Sequence, residues 1–130
     1  MTEATKQGRR ILVVDDEDDI REVATVSLQA VGGHEVLTAC CGRDAVAVAT
    51  AEHPDAILLD VMMPDLDGPS TFALLQETAA TRDIPVILLT AKAQDADIRA
   101  LEGIGVAAVL LKPFDPMTLA ADVERVLGWS

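Results

Sequence analysis

Four uninterrupted apolar runs dominate the pattern of hydrophobic and polar positions along the chain. They occupy residues 11–14, 56–59, 86–89 and 106–111. Because apolar positions do not alternate with polar ones, each run predicts a strand that is buried on both faces of a parallel sheet. A weaker run at residues 35–39 predicts a further strand at the edge of that sheet.

The segments between the runs carry apolar residues three or four positions apart, which is the spacing of an amphipathic helix. Glycine and proline residues separate these segments from the predicted strands. The positions that mark the helical faces include Ile20, Leu28, Val31, Ala45, Val48, Phe72, Leu75, Ile98, Leu101, Leu119 and Val123. Five strands that alternate with five helices predict right-handed crossovers and an open α/β sheet covered on both faces.

Polar residues stand at the ends of the four strong runs. Asp15 and Asp16 follow the first run, Asp60 the second, Thr90 the third and Lys112 the fourth. The carboxyl ends of parallel strands share one edge of a sheet, and ligands of such sheets bind outside that edge. Each residue alone has an ordinary explanation as a helix cap or a surface group. Together they predict one functional site.

The residue types at this predicted site favour phosphoryl chemistry with a metal ion. Three carboxylates repel each other unless a cation lies between them, and oxygen ligands favour Mg²⁺, with Mn²⁺ as the alternative. Magnesium commonly keeps part of its shell for water and phosphate oxygens. We therefore expect Asp15 and Asp16 to hold the metal and Asp60 to act as the nucleophile that forms an aspartyl phosphate. Lys112 and Thr90 would contact phosphoryl oxygens.

The chain closely resembles the receiver (CheY-like) domains of bacterial two-component response regulators. The resemblance rests on ILVVDD at 11–16, LLD at 58–60, MPDLDG at 63–68, LTA at 89–91 and KPF at 112–114, and it extends from about residue 10 to 127. It implies a flavodoxin-like, doubly wound, five-stranded parallel sheet in the order 2-1-3-4-5 with five helices. It also implies that Asp15, Asp16, Asp60 and the backbone carbonyl of Met62 form the metal site and that the Lys112–Pro113 peptide is cis.

The resemblance further implies a phosphorylation-operated switch in a phosphorelay. Asp60 would receive its phosphoryl group from a histidine kinase, a phosphotransfer protein or a small donor such as acetyl phosphate. The chain would catalyse only its own phosphorylation and dephosphorylation, so we do not expect an enzyme with an external substrate. Receivers usually have an aromatic residue three positions before the lysine, where this chain has Val109. We therefore expect backbone shifts near Val109 and after Thr90 to carry the signal to a protein target that binds near Val109 and the last helices.

Composition and charge narrow the class of partner. The 130 residues include 10 Lys and Arg against 22 Asp and Glu, a formal net charge of −12. So acidic a surface argues against direct contact with nucleic acid or a membrane. The length fits one domain, which we place at residues 10–128 between a flexible leader at 1–9 and a C-terminal end at 129–130. Because no apolar stretch approaches a membrane span or a secretory signal, we expect the cytoplasm.

The cysteines and histidines suggest no further chemistry at this stage. Cys40 and Cys41 are adjacent in the chain, so they do not form an ordinary structural disulfide with each other. We interpret them as plain thiols of the core or of a helix start. His34 and His53 lie at segment boundaries, and both are predicted to be surface residues.

Alternative functions remain open. An aspartate-nucleophile phosphatase of the haloacid dehalogenase type needs an Asp-x-Asp-x-Thr motif, but Met62 follows Asp60 at the second position. A flavin carrier would need a phosphate-binding loop after the first strand, where this chain has an acidic run at 15–19. A pseudo-receiver, which interacts independently of phosphate, would not need the intact set of Asp60, Thr90 and Lys112.

Overall fold

The structure is a computed structural model, and it describes residues 8–64 and 66–129. The strands are β1 (Arg10–Val14), β2 (Glu35–Ala39), β3 (Ala56–Asp60), β4 (Val86–Thr90) and β5 (Ala108–Leu111). The helices are α1 (Asp18–Ala30), α2 (Gly42–Glu52), α3 (Gly68–Glu77), α4 (Asp95–Glu102) and α5 (Leu119–Leu127). Most of the predicted leader (residues 1–7), Asp65 of the MPDLDG motif and the final residue, 130, lie outside the described residues.

The five strands form one parallel sheet in the order β2-β1-β3-β4-β5. This order, with five helices, confirms the predicted doubly wound, flavodoxin-like fold. Strands β1 and β3 lie next to each other at the point where the strand order reverses. The sheet therefore places the ends of β1 and β3 side by side, which is where sheets of this class bind ligands.

Two apolar cores, one on each face of the sheet, explain why the strong runs are continuous. Alternate strand residues such as Leu12 and Leu59 pack with α2 and α3 on one face. Their neighbours, such as Val13 and Leu58, pack with α1 and α5 on the other face. Residues of β1, β3 and β4 must therefore be apolar at successive positions, because each side chain enters one of the two cores.

The last strand begins later than the run at 106–111 predicts. β5 spans Ala108–Leu111, and its residues are half-buried or exposed rather than buried. It lies at an edge of the sheet, so it has a neighbouring strand on one side only. Val106 packs against the core from the turn that precedes β5, which explains why this apolar residue extends the run without belonging to the strand.

His34 is not the surface residue that its position predicts. It is 8% exposed, and its Nδ1 accepts a hydrogen bond from the Arg9 N–H at 3.0 Å. Its Nε2 therefore carries the ring proton and donates to Glu124 Oε2 at 2.8 Å. Trp129 packs on the His34 ring, with the ring centroids 5.7 Å apart. His53, in contrast, is exposed as predicted.

The two ends of the described chain meet at this histidine. Arg9 and Trp129 lie outside the predicted domain at 10–128, yet the Arg9 guanidinium is 4.9 Å from the centroid of the Trp129 ring. The exact domain boundaries stay a prediction. Among the residues that the structure describes, none belongs to a helix with the length and apolar character needed to cross a membrane.

Candidate functional site

The predicted site residues meet at the edge of the sheet that the carboxyl ends of β1, β3, β4 and β5 form. Asp15 follows β1 and Asp60 ends β3, while Thr90 ends β4 and Lys112 follows β5. Asp15 and Asp60 are 1% and 3% exposed, so both carboxylates are buried. Burial of two acidic groups requires a nearby positive charge.

A cluster of three carboxylates forms at this edge. Oxygens of Asp15, Asp16 and Asp60 lie within 4.8 Å of one another, and Asp16 is exposed whereas the other two are buried. Within residues 8–64 and 66–129, no other group of three acidic, histidine or cysteine side chains meets this distance. The donor set consists only of oxygens and is open on the Asp16 side. These features fit a hard divalent cation that retains water or phosphate ligands.

Lys112 joins the two buried carboxylates. Its Nζ donates to Asp60 Oδ1 at 3.1 Å and to Asp15 Oδ2 at 3.2 Å, and it lies 3.9 Å from Glu17 Oε1. Strand β4 lies between β5 and β3, the strand that ends at Asp60, and neighbouring strands are about 4.8 Å apart. Only a long side chain crosses that distance, so lysine at this position has a geometric reason as well as an electrostatic one.

The electrostatic surroundings alter the acid-base behaviour of Asp60 and Lys112. Burial of Asp60, together with the charge of Asp15, raises the pKa of its carboxyl group, although contact with Lys112 opposes this effect. Burial lowers the pKa of Lys112, but the hydrogen bond to Asp60 and the charges of both aspartates outweigh it, so the pKa is raised overall. Lys112 is therefore firmly protonated, and Asp60 is a more basic carboxylate than an exposed aspartate.

Thr90 presents a hydroxyl group at the same edge. Its side chain is 1% exposed, and Oγ1 accepts a hydrogen bond from the Lys92 N–H at 3.1 Å. A hydroxyl group has one hydrogen in addition to its acceptor lone pairs. Because the oxygen accepts in this contact, the hydrogen is left for a ligand. Ala91 and Lys92 are exposed, so a small side chain and a solvent-exposed lysine border the site on this side.

Three contributors to the site were not identified from the sequence. The Glu17 N–H donates to Asp15 Oδ1 at 2.9 Å, and Arg21 Nη1 donates to the Asp15 carbonyl at 2.7 Å while its other nitrogen pairs with Asp18. A Cβ atom on Gly68 would lie 2.7 Å from the Asp60 carbonyl, so glycine lets α3 begin against β3. The ion pair of Asp18 and Arg21 could be predicted from the sequence, because side chains three residues apart are neighbours on a helix surface.

Other expectations about the site have mixed outcomes. The Lys112–Pro113 peptide is cis, as the resemblance implies. Val109 is half-buried and packs against the core that contains Phe72. Met62 lies two residues after Asp60 with a 66% exposed side chain, and the role of its carbonyl as a metal ligand stays a prediction.

Comparison with known proteins identifies the family. The family model described as the response regulator receiver domain matches residues 11–124. The chain therefore belongs to the response regulator receiver family, and it is similar to proteins of two-component signalling. It is 42% identical over 120 residues to the "Probable transcriptional regulator ycf27" of Cyanophora paradoxa, covering 92% of this chain and 48% of that protein.

A second relative is the phosphate regulon transcriptional regulatory protein PhoB of Pseudomonas aeruginosa, which is 42% identical over 121 residues. That match covers 92% of this chain and 52% of PhoB. The chain thus spans about half the length of the curated relatives it matches.

Solved structures agree with the fold. The chemotaxis response regulator CheY4 of Vibrio cholerae has a TM-score of 0.85 at 32% identity, over 92% of this chain and 99% of that one. The N-terminal domain of a response regulator receiver protein from Methanoculleus marisnigri has a TM-score of 0.74 at 37% identity, over 92% and 96% of the two chains.

Proposed function

We propose that this receiver domain accepts a phosphoryl group on Asp60 in a Mg²⁺-dependent reaction and that the aspartyl phosphate switches its contacts with partner proteins. The observation that carries the proposal is the contact of Lys112 Nζ with both buried carboxylates, Asp15 and Asp60. Membership of the response regulator receiver family supports the same reading. The chain would act on no external substrate, and its chemistry would be limited to gaining and losing its own phosphoryl group.

The proposed reaction uses the basic carboxylate of Asp60 as the nucleophile. An Asp60 oxygen forms a bond to phosphorus while the bond from phosphorus to the leaving atom of the donor breaks. That leaving atom is an imidazole nitrogen of a phosphohistidine or the acyl oxygen of acetyl phosphate. Lys112 remains protonated and attracts the phosphoryl oxygens, and the free hydrogen of the Thr90 hydroxyl donates to one of them.

The carboxylate cluster defines the proposed metal site. Asp15, Asp16 and Asp60 would hold Mg²⁺, with Mn²⁺ as the alternative, and the Met62 carbonyl would be a further ligand. When bound, the metal offsets the charge of the carboxylates and of the phosphoryl oxygens. The chain itself keeps Asp15 in place through the hydrogen bonds from Glu17 and Arg21.

We propose a histidine kinase or a phosphotransfer protein as the phosphodonor. An apolar groove of about 400 Å³ opens beside Lys112, and Ile20, Val23, Pro113 and Phe114 line it. The groove reaches the site edge, so a protein bound there could present a phosphohistidine to Asp60. Asp19 also lines the groove, and it favours a partner with basic groups around an apolar contact.

The output would use a different surface. We propose that a downstream protein binds near Val109 and the last helices, where Ile104 and Leu111 are 41% and 43% exposed. We expect no direct contact with nucleic acid or a membrane from this domain, given its net charge of −12. Because a kinase of this kind draws its phosphoryl group from ATP, we place the reaction in the cytoplasm.

The test is incubation with acetyl phosphate and Mg²⁺, followed by intact-mass analysis. We expect one added phosphoryl group on the natural chain and none on Asp60→Asn. The control Asp83→Asn changes an exposed aspartate that lies before β4, and it should be labelled like the natural chain. Absence of labelling with every donor would favour a pseudo-receiver. Continuous release of phosphate from an external ester would favour a phosphatase of the haloacid dehalogenase type.

A further inference from the structure

The two cysteines form a sulfur pair at the turn between β2 and α2. Cys40 follows β2, and Cys41 is the N-cap residue of α2. Their sulfur atoms lie 3.6 Å apart, and both thiols are free. Cys40 is exposed and Cys41 is half-buried, so a solute can reach the pair. These are the only two cysteines of the chain.

The distance between the sulfurs suits a bridging atom better than a direct bond. Two sulfurs bound to one shared atom at about 2.3 Å each are about 3.3 Å apart at a right angle and about 3.8 Å apart at the tetrahedral angle, and the bonds of a pyramidal, trivalent atom lie between these limits. An ordinary disulfide has its sulfurs about 2.05 Å apart and its Cα atoms usually about 4.4–6.8 Å apart, whereas a trans peptide holds adjacent Cα atoms at about 3.8 Å. The observed 3.6 Å lies close to the separation that one shared ion requires.

The surroundings limit what the pair can bind. In the part of the chain that the structure describes, no histidine, aspartate or glutamate completes a three-ligand group with these sulfurs. A structural zinc ion needs four protein ligands. The pair therefore suits a soft, thiophilic centre that is satisfied by two sulfurs, such as trivalent arsenic that carries one organic group.

Oxidation of the two thiols is a less favoured hypothesis for the same pair. The hydrogen bond to Cys41 is the largest of the effects that raise the pKa of the Cys40 thiol. A thiol with a raised pKa has little thiolate and reacts slowly with oxidants. A soft centre that binds both sulfurs, in contrast, replaces the protons of both thiols together.

We propose that Cys40 and Cys41 form a two-sulfur binding site for trivalent organoarsenicals. Each thiol gives up its hydrogen, two arsenic–sulfur bonds form, and two arsenic–oxygen bonds of R–As(OH)₂ break. Two water molecules leave, and no atom changes its oxidation state. The site is separate from the phosphoryl site but adjacent to it, because the Asp15 N–H donates to the carbonyl of Ala39 at 3.3 Å.

The test uses phenylarsine oxide with the fully reduced chain and intact-mass analysis. The natural chain should gain one phenylarsenic group with loss of two hydrogens, and a dithiol should release it. Two linked thiols hold a ligand more tightly than one, so displacement by a monothiol should need roughly 100-fold more competitor than in Cys40→Ser or Cys41→Ser. Circular dichroism of the single variants checks that they fold.

Three results would overturn the proposal. They are absence of the adduct on the natural chain, an equally persistent adduct on either single variant, and loss of two hydrogens without added arsenic. Asp60→Asn should bind phenylarsine oxide like the natural chain. The outcome for this site is therefore independent of whether Asp60 is the phosphoacceptor.

Discussion

Replacing Lys112 with alanine removes the ammonium group that contacts both buried carboxylates of the site. The Lys112 side chain is 13% exposed, and its Nζ lies 3.1 Å from Asp60 and 3.2 Å from Asp15. At an effective dielectric constant of about 20, each contact is an attraction of about 5 kcal/mol. Alanine also removes the cost of burying the ammonium group. Loss of one partner of a buried ion pair then costs about 3–5 kcal/mol, and we expect a loss of that size in the free energy of unfolding.

The loss should depend on pH in a defined direction. Without Lys112, nothing offsets the effects of burial and of Asp15, which already raise the pKa of Asp60. A carboxyl group whose pKa is higher in the folded state destabilises that state once pH exceeds its unfolded pKa, and the penalty grows until pH passes the folded pKa. The deficit of the variant should therefore be smaller at pH 5 than at pH 7.5.

Urea unfolding in the presence of EDTA measures this loss, and Lys92→Ala is the matched control. Lys92 is an exposed lysine beside Thr90, so its removal should change stability by less than about 0.5 kcal/mol. Millimolar Mg²⁺ should narrow the gap between Lys112→Ala and the natural chain, because carboxylates that have lost the competing ammonium group bind the ion more tightly, and tighter binding to the folded state stabilises it more. A loss below about 1 kcal/mol that is the same at both pH values and with or without Mg²⁺ would refute the reasoning.

Three further substitutions test other parts of the structure. Asp60→Asn should raise the urea midpoint at pH 7.5 and change it little near pH 4. The reason is that burial and the charge of Asp15 destabilise the ionised form of Asp60. An unchanged midpoint at pH 7.5 would be inconsistent with this explanation. Val23→Glu, at a 43% exposed position, should slow phosphotransfer from a phosphohistidine protein about tenfold (~1.4 kcal/mol). Labelling by acetyl phosphate should stay unchanged. Equal slowing of both reactions would exclude the groove as the docking surface. Gly68→Ala should lower the free energy of unfolding by about 1–3 kcal/mol, since its Cβ would meet the Asp60 carbonyl at 2.7 Å, and a neutral result in urea would count against the close approach.

The sheet and the position of the site were predictable because their signals are local. A strand buried on both faces must be apolar at successive positions, and the runs that contain Val14 and Leu59 show this directly. A polar residue that follows such a run must lie at the sheet edge. Asp15 and Asp60 therefore reveal their shared location without any knowledge of distant contacts.

Most of the features that the sequence did not reveal depend on residues far apart in the chain. His34 follows two glycines and looks like a turn residue, but Glu124, 90 positions later, accepts a hydrogen bond from its Nε2, and Trp129 packs against its ring. The contact of Lys112 with Asp60, which extends past β4, likewise depends on the strand order. The closeness of the Cys40 and Cys41 sulfurs is a matter of side-chain rotation, which adjacency in the sequence does not determine.

The most direct test of the central claim is to locate the phosphoryl group chemically. After reaction with acetyl phosphate and Mg²⁺, borohydride reduces an acyl phosphate of aspartate to homoserine, and peptide sequencing by mass spectrometry finds the changed residue. The proposal predicts homoserine at position 60 and at no other aspartate. Homoserine at Asp15 or Asp16 instead, or no homoserine in a chain that carries a phosphoryl group, would contradict it.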